Sequence, residues 1–231
     1  MITTDVTRIV TTKKEYERMI KMKIAILGAN GNVGSVLVEE ALSRGYEVLA
    51  LVRDKSNYNA KVGVEVKEVD ALNKDTLVNG FKDIKIAVSA FGPKAGSEND
   101  LVVVTRNLID AAKEAKVDRF LAIGGAGSLF VSEDVTLANS GLLPEEWLPV
   151  VNAHVEALNV IKNETDLNWT VLRPSSFFES GERTGKFKIG TDYLLVDSEG
   201  KSHISFQDYA VALFDEIDKG EFIKKAFTVG Y

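Results

Sequence analysis

Three glycines near the start of the chain, Gly28, Gly31 and Gly34, have the spacing G-x-x-G-x-x-G. In such a turn the first glycine permits a sharp bend, the second lets a phosphate approach the backbone, and the third lets the following helix pack closely. The free N–H groups and the positive dipole end of that helix attract phosphate. The spacing therefore predicts a phosphate-binding turn. Its predicted contact residues are Gly28, Asn30, Gly31, Asn32, Val33 and Gly34.

The elements around the turn indicate which phosphate ligand to expect. Ile24–Leu27 is a continuous apolar run typical of a buried parallel strand, and Tyr46–Val52 is a second one. Between them the apolar residues recur at helical spacing up to Gly45, which is suited to a helix C-terminus. A glycine triplet alone is weak evidence, but strand, glycine turn, helix and strand together predict dinucleotide binding.

Arg53 ends the second predicted strand. An acidic residue about 20 residues after the glycine turn would bind the ribose 2′-hydroxyl of NAD, whereas an arginine can pair with the 2′-phosphate of NADP. Asp54 stands next to it and could itself reach a ribose. The sequence therefore favours NADP(H) as the cofactor and leaves NAD(H) possible.

Strands and helices alternate along the rest of the chain, which predicts an α/β fold of the Rossmann type, a doubly wound parallel sheet with a small C-terminal substrate-side elaboration. Further strands are predicted at Val62–Val69, Ile84–Ser89, Arg119–Ile123, Asn168–Leu172 and Phe227–Val229. Helices are predicted from Asn73 to Gly80, from a Ser97-x-x-Asp100 capping box to Lys116, from Asn152 to Asn163, and from a Ser205-x-x-Asp208 capping box to Lys219. Residues 129–151 are predicted to be irregular and to form a flap beside the site.

Ligands of such sheets bind at the carboxyl ends of the strands. Asp70 and Ala71 follow the third predicted strand and are expected near the adenine, although a turn explains Asp70 equally well. After the fourth predicted strand, the expected neighbours of the pyrophosphate and nicotinamide are Ser89, Ala90, Phe91 and Gly92.

Two side chains are candidates for catalysis. Ser128 follows the fifth predicted strand, where short-chain dehydrogenases place a catalytic serine. His154, on the next predicted helix, could transfer protons because an unperturbed histidine has a pKa of about 6.5, but a structural role fits it too. No Tyr-x-x-x-Lys pair, the usual proton donor of alcohol–ketone chemistry, occurs in the chain.

The composition excludes several other classes of site. The 231 residues carry a net charge of −6, which argues against nucleic acid as a partner. Without cysteine, and with two histidines far apart, no metal site is expected. No apolar run approaches the ~18 residues that span a bilayer, so we expect a cytoplasmic protein, monomeric or homodimeric. Residues 22–231 are expected to form one domain, with substrate-side elements mainly at 174–206, after an N-terminal extension at 1–21.

Several motifs together resemble one family. These are the glycine turn, Ser89-Ala-Phe-Gly92, Asn168-Trp-Thr-Val-Leu-Arg-Pro174, Gly181-Glu-Arg-Thr-Gly185, Ser202-His-Ile-Ser205 with Asp208-Tyr-Ala210, and Phe227-Thr-Val-Gly-Tyr231. The chain from residue 22 onward resembles the atypical short-chain dehydrogenase/reductases, in particular NADH-flavin reductases and the flavin reductase/biliverdin reductase B group. NmrA-like proteins are more distant relatives.

The resemblance implies an oxidoreductase that passes hydride from NADPH to a small-molecule acceptor, a flavin or a quinone-like compound. A flavin accepts hydride directly, so the missing tyrosine and lysine are not required. Phe91, Phe130 and Phe177 are candidates for a ring-stacking pocket. Three cations, Arg173, Arg183 and Lys186, could face an anionic substrate or could be solvated or fold-bracing charges. Arg183 is the best candidate of the three because glycines flank it in a loop.

Two other functions fit the same residues. The first is a redox sensor or regulatory protein that binds the dinucleotide without turning it over, as the NmrA-like resemblance implies. The second is a sugar-nucleotide epimerase or dehydratase, which the missing tyrosine and lysine weaken.

Overall fold

The computed structural model describes residues 22–59 and 61–231. The predicted extension at 1–21 therefore lies outside the described residues. The strands, in chain order, are β1 (Lys23–Leu27), β2 (Glu47–Val52), β3 (Val64–Glu68), β4 (Ile86–Ser89), β5 (Arg119–Ile123), β6 (Phe130–Ser132), β7 (Val135–Thr136), β8 (Trp169–Pro174), β9 (Phe177–Glu179), β10 (Lys188–Gly190), β11 (His203–Ser205) and β12 (Lys225–Gly230). The α-helices are α1 (Asn32–Ser43), α2 (Lys74–Gly80), α3 (Asp100–Glu114), α4 (Leu148–Lys162) and α5 (Phe206–Lys219).

Within these residues eight strands form one sheet in the order β10-β12-β8-β5-β4-β1-β2-β3. Each neighbouring pair is parallel except β10 and β12, which run antiparallel. The chain leaves β1 toward β2 on one side and later returns to β4 on the other, so the strand order reverses beside β1. This reversal opens a crevice at the carboxyl ends of β1 and β4, where ligands bind in open α/β sheets. The predicted fold class is confirmed.

The core lies on both faces of the sheet, and this explains why its strands are apolar without interruption. Along β1, Ala25 and Leu27 pack with side chains of α2, α3 and α4. Ile24 and Ile26 alternate with them and pack on the other face with side chains of α1 and α5. Because successive side chains point to opposite faces, a strand covered on both sides needs an apolar residue at every position.

Some helix starts differ from the predictions. Asn73 and Ser205 cap α2 and α5 through their side chains, as predicted. The predicted capping box at Ser97 is wrong, because Asn99 stands at the N-cap of α3 without a side-chain bond. α4 begins at Leu148 rather than Asn152, since a proline is well accommodated in the first turn of a helix.

The segment predicted as an irregular flap contains the antiparallel pair β6–β7 and short 3₁₀ turns before α4. Later in the chain than β8, the strands β9 and β11 form a separate parallel pair. Among the described residues, none of the helices has both the length and the apolarity needed to cross a membrane.

Candidate functional site

A groove of about 500 Å³ lies at the carboxyl ends of the strands, beside the reversal in strand order. This volume falls in the range typical of small-molecule sites, roughly 300–1,000 Å³. Its lining residues are Leu27, Gly28, Asn30, Gly31, Leu51, Val52, Arg53, Asp54, Asn57, Val69, Asp70, Ala71, Leu72, Phe91, Gly92, Lys94, Ser97 and Asp100. The structure thus brings the glycine turn together with the residues that end the second, third and fourth strands.

Two of the three glycines are required by close backbone contacts. Gly28 has a φ of +78°, and a Cβ on it would lie 2.6 Å from the carbonyl oxygen of Ala90, just after β4. A Cβ on Gly34 would lie 2.0 Å from the carbonyl oxygen of Gly28, which is far inside van der Waals contact. A side chain at either position would therefore force the turn away from β4 or from α1.

Gly31 serves the groove itself. It stands at the N-cap of α1 and supplies no side-chain cap, and a Cβ there would meet only the Gly28 carbonyl oxygen, at 3.2 Å. The first N–H groups of a helix have no carbonyl partner within the helix, so those of Asn32, Val33 and Gly34 are available to an acceptor. Together with the helix dipole they suit the diphosphate of a dinucleotide.

Arg53 and Asp54 line the same wall of the groove but differ in their partners. The Asp54 carboxylate accepts bonds from the Ser56 N–H at 2.9 Å, the Ser56 hydroxyl at 2.6 Å and the Asn57 amide at 2.6 Å. These bonds, led by that from the Ser56 hydroxyl, hold the pKa of Asp54 below its usual value. Across residues 22–59 and 61–231 the exposed Arg53 guanidinium has no ion-pair partner closer than 4 Å. Arg53 is therefore available to an anion.

Asp70 and Ala71 line the groove where the chain leaves β3. Asp70 Oδ1 accepts from the Leu72 N–H at 3.0 Å, so the carboxylate shapes the turn as well as facing the groove. The Asn107 amide of α3 donates to the Ala71 carbonyl at 3.2 Å and holds this turn against the helix.

The last residue of β4 and the residues just after it divide between the core and the groove. Phe91 and Gly92 line the groove, while Ser89 is buried and its Oγ accepts from the Phe91 N–H at 3.4 Å. The Ala90 N–H donates to the Leu27 carbonyl at 2.9 Å, which joins β4 to the end of β1.

Four polar lining residues were not predicted from the sequence: Asn57, Lys94, Ser97 and Asp100. The last three follow the Ser89–Gly92 turn in the chain, and Asn57 follows Arg53. Their nearness to predicted positions was the only signal that could have identified them.

Ser128 ends a short 3₁₀ turn after β5, outside the set of residues that line the groove. Its Oγ lies 3.4 Å from a guanidinium nitrogen of Arg173, which lies within β8. A small cavity of about 20 Å³ between the sheet, α3 and α4 touches Ser89, Phe91 and His154. The two predicted catalytic residues are therefore both near the carboxyl end of β5.

His154 is partly buried, and a Cβ on Gly125 would lie 2.9 Å from its Cβ. Burial of the imidazole lowers the pKa of His154 from 6.5 to about 4. At neutral pH the ring is uncharged, so it lacks the proton that a general acid would supply.

This shift makes folding stability depend on pH. In the unfolded chain His154 takes up a proton below pH 6.5, whereas in the folded state it does so only near pH 4. The unfolded state binds more protons between these values, so stability falls as the pH is lowered, by up to about 3 kcal/mol at 1.36 kcal/mol per pH unit. We expect denaturant titrations from pH 7 to pH 4 to show this loss in the wild type and a shallower one in His154→Gln. Equal slopes for the wild type and His154→Gln would contradict the shift.

Phe177 is 49% exposed on β9 and outside the residues that line the groove. The ammonium of Lys201 lies 5.8 Å from the centre of its ring. The exposed ring is accessible to a planar ligand. That Phe177 binds the hydride acceptor stays a prediction.

Arg183 forms an ion pair within the protein, as its fold-bracing alternative predicts. Its guanidinium binds the Glu40 carboxylate of α1 with two hydrogen bonds, of 2.8 and 3.0 Å. Arg44 donates to the same carboxylate at 2.8 Å. Burial raises the pKa of Glu40, but these bonds outweigh it and the pKa lies below its usual value. Arg183 therefore braces its loop on α1, and the ion pair accounts for it without a substrate.

Replacing Arg183 with alanine should accordingly affect stability rather than turnover. The arginine side chain is 54% exposed and Glu40 keeps Arg44, so the expected loss is about 1 kcal/mol, or roughly 2–4 °C in Tm. Thermal unfolding and acceptor kinetics of Arg183→Ala measure both. An unchanged Tm with a large rise in KM for the acceptor would instead support the substrate role of Arg183.

Among the described residues no cluster of three or more histidine, cysteine, aspartate or glutamate side chains is arranged to hold a metal ion.

Comparisons with known proteins agree with this geometry. Residues 28–219 match the model of a family described as NAD(P)H-binding. The Bacillus subtilis (strain 168) protein YwnB is 40% identical over 214 residues, which cover 90% of this chain and 98% of that protein.

Two solved structures share the fold along most of their length. One is a Bacteroides thetaiotaomicron protein proposed to be an epimerase, with a TM-score of 0.85 and 38% identity, covering 91% of this chain and 97% of that one. The other is a Streptococcus pneumoniae TIGR4 protein proposed to be an NADH-flavin reductase, with a TM-score of 0.80 and 32% identity, covering 90% of this chain and 99% of that one. The resemblance to reductase-like atypical short-chain dehydrogenases is confirmed, and the chain belongs to the family of NAD(P)H-binding proteins.

Proposed function

We propose that this protein is an NADPH-preferring oxidoreductase that passes hydride to a flavin or quinone-like acceptor without a Tyr-x-x-x-Lys pair. NAD(P)H binding follows from the family. The NADP preference and the acceptor are the proposed steps.

The observation that carries the proposal is the contrast between Arg53 and Asp54 on one wall of the groove. A carboxylate that selects NAD must be able to accept from the ribose hydroxyls, but Asp54 already accepts three bonds from its own loop. Arg53 is exposed on the same wall and suits a 2′-phosphate, because a guanidinium can donate two parallel hydrogen bonds to such a group.

The other groove residues fit the rest of a dinucleotide. The uncapped first turn of α1 would hold the diphosphate, and Gly31 leaves it room to approach. Asp70 and Ala71 would border the adenine. When bound, the cofactor supplies a hydride from its nicotinamide ring, and the protein has to orient an acceptor against that ring at roughly 3–3.5 Å.

The acceptor class rests on two considerations. His154 is neutral and no Tyr-x-x-x-Lys pair is present, so an acceptor that needs no proton from the protein is favoured. The similarity to the Streptococcus pneumoniae protein, which is proposed to be an NADH-flavin reductase, supports a flavin as that acceptor.

The direct test mixes the protein with NADPH and FMN, FAD or a simple quinone and follows the absorbance of the reduced nicotinamide. We expect turnover above the uncatalysed rate, faster with NADPH than with NADH at equal subsaturating concentrations. Absence of turnover with every acceptor of these classes would remove the proposal.

One observation favours a second function, a redox sensor that binds the dinucleotide without consuming it. The lack of an acidic proton donor at His154 suits a protein that performs no chemistry as well as it suits a flavin reductase. A sensor would bind NADPH and NADP⁺ with clearly different affinities and show no turnover. Calorimetric titration with each form, on the same preparation, separates the two functions.

A further inference from the structure

Arg173 is the most unusual charged residue of the described chain. It is only 2% exposed, and its Nε is a buried nitrogen without a hydrogen-bond partner. Buried charges are normally paired and fully hydrogen-bonded, because removing them from water is costly. A guanidinium that is buried and incompletely bonded therefore calls for an explanation.

Its existing contacts neutralise the charge only weakly. One terminal nitrogen donates to Ser128 Oγ at 3.4 Å, and the other donates to the Thr191 carbonyl and lies 3.4 Å from Asp192 Oδ1. The Asp192 side chain is 63% exposed, so water screens its charge. The positive charge of Arg173 therefore remains largely uncompensated. The uncharged Ser128 hydroxyl is one of the groups that its guanidinium contacts.

Arg173 packs between the turn that follows β5 and the 191–193 segment. Its Cγ would lie 2.9 Å from a Cβ on Gly124, so its stem packs against the turn that leads from β5 to Ser128. The Phe130 N–H donates to the Asp192 carbonyl at 2.8 Å, and the Phe130 and Tyr193 rings lie 5.8 Å apart. Arg173 thus joins two segments that present a hydroxyl and two aromatic rings beyond the carboxyl end of β5.

A serine hydroxyl that accepts a bond from a guanidinium has one of its two lone pairs engaged, and its O–H stays free to donate. The cation also makes that O–H a stronger donor, as in other charge-assisted hydrogen bonds. Such a donor stabilises negative charge that develops on an oxygen in a water-poor site.

We propose that Arg173 is a positioning residue that holds Ser128 as a hydrogen-bond donor to the acceptor, and that the site selects planar acceptors which gain negative charge on a conjugated oxygen. This rests on the proposed function. The hydride brings two electrons and one proton, which form the new bond to hydrogen on the acceptor. The acceptor's π electron pair moves at the same time onto its conjugated oxygen, the atom that Ser128 binds. A proton from water then neutralises that oxygen, and the nicotinamide is left oxidised.

A double-mutant cycle tests the link, because residues that act through one another are not additive. We expect Ser128→Ala to lower kcat with a quinone about 100-fold, in the range of other lost oxyanion donors. Arg173→Lys should lower kcat about tenfold alone and less than twofold in the Ser128→Ala background. Additive losses, or a parallel rise in the Kd for NADPH, would show a structural role and overturn the proposal.

A second readout does not depend on turnover. With NADP⁺ bound, the Kd for 4-nitrophenolate, a planar oxyanion whose absorbance reports binding, should rise at least fivefold in Ser128→Ala. Asp192→Asn removes the exposed counter-charge while leaving Arg173 in place, so it should bind the phenolate two- to threefold more tightly. This variant also covers the case in which Arg173→Lys fails to fold, and weaker or unchanged binding by it would contradict the proposal. Absence of turnover in the wild-type protein would count against the proposed function. It would not decide the role of Arg173, because phenolate binding is measured separately from turnover.

Discussion

Replacing Gly34 with alanine should destabilise the protein by about 3 kcal/mol and strongly weaken dinucleotide binding. The added Cβ would lie 2.0 Å from the Gly28 carbonyl oxygen, and this neighbour is backbone that no rotamer change can move. Either α1 shifts away from the sheet or the turn loses its shape. A displacement of about 1 Å at such a site costs on the order of 100-fold in kcat/KM.

The measurements are denaturant unfolding and NADPH titration of the purified variant. Ser35→Ala is the matched control, because Ser35 is the next residue of the same helix and is exposed. It should change the free energy of unfolding by less than about 0.5 kcal/mol. A Gly34→Ala protein with wild-type stability would show that the turn is more adaptable than its contacts indicate.

Arg53→Ala should weaken NADPH binding by about 1–3 kcal/mol, the scale of a charge-assisted hydrogen bond, which corresponds to roughly 5- to 150-fold in Kd. NADH binding should change little, because NADH lacks the 2′-phosphate. The effect should shrink as salt is raised, since Arg53 is exposed and its charge is screened.

Lys55→Ala is the control for this prediction. It removes an exposed positive charge two residues away, at a position that does not line the groove. Its two cofactor affinities should stay near those of the wild type. If Arg53→Ala weakened NADPH and NADH equally, Arg53 would not read the 2′-phosphate.

The fold and the glycine turn were predictable because their signals are local. An apolar run such as Ile24–Leu27 reports that both faces of a strand are covered, and the spacing of the glycines reports a turn within seven residues. The N-cap at Ser205 was predictable for the same reason, since its partner Asp208 is three residues away.

Contacts between distant residues could not be predicted in this way. Arg183 pairs with Glu40 across 143 positions of the chain, and nothing in the loop around Arg183 indicates that partner. The burial of Arg173 likewise depends on β5, β8 and the 191–193 segment coming together. The wrongly predicted capping box at Ser97 shows that a local motif can also mislead. Residues of suitable type form a capping box only if the helix begins next to them, and this helix begins after Asn99.

The place of β12 in the sheet imposes an order on folding. β10 comes earlier in the chain, yet among residues 22–59 and 61–231 it pairs only with β12, and β12 fills the gap between β10 and β8. The strand at 188–190 therefore cannot join the sheet until residues 225–230 have docked. Since pairings over long sequence separations form slowly, the half of the sheet around β1, β2 and β3 should gain amide protection first. During synthesis on the ribosome, the edge at β8 would stay open until residues 225–230 had emerged, and this leaves an interval in which a chaperone or a second nascent chain could bind there.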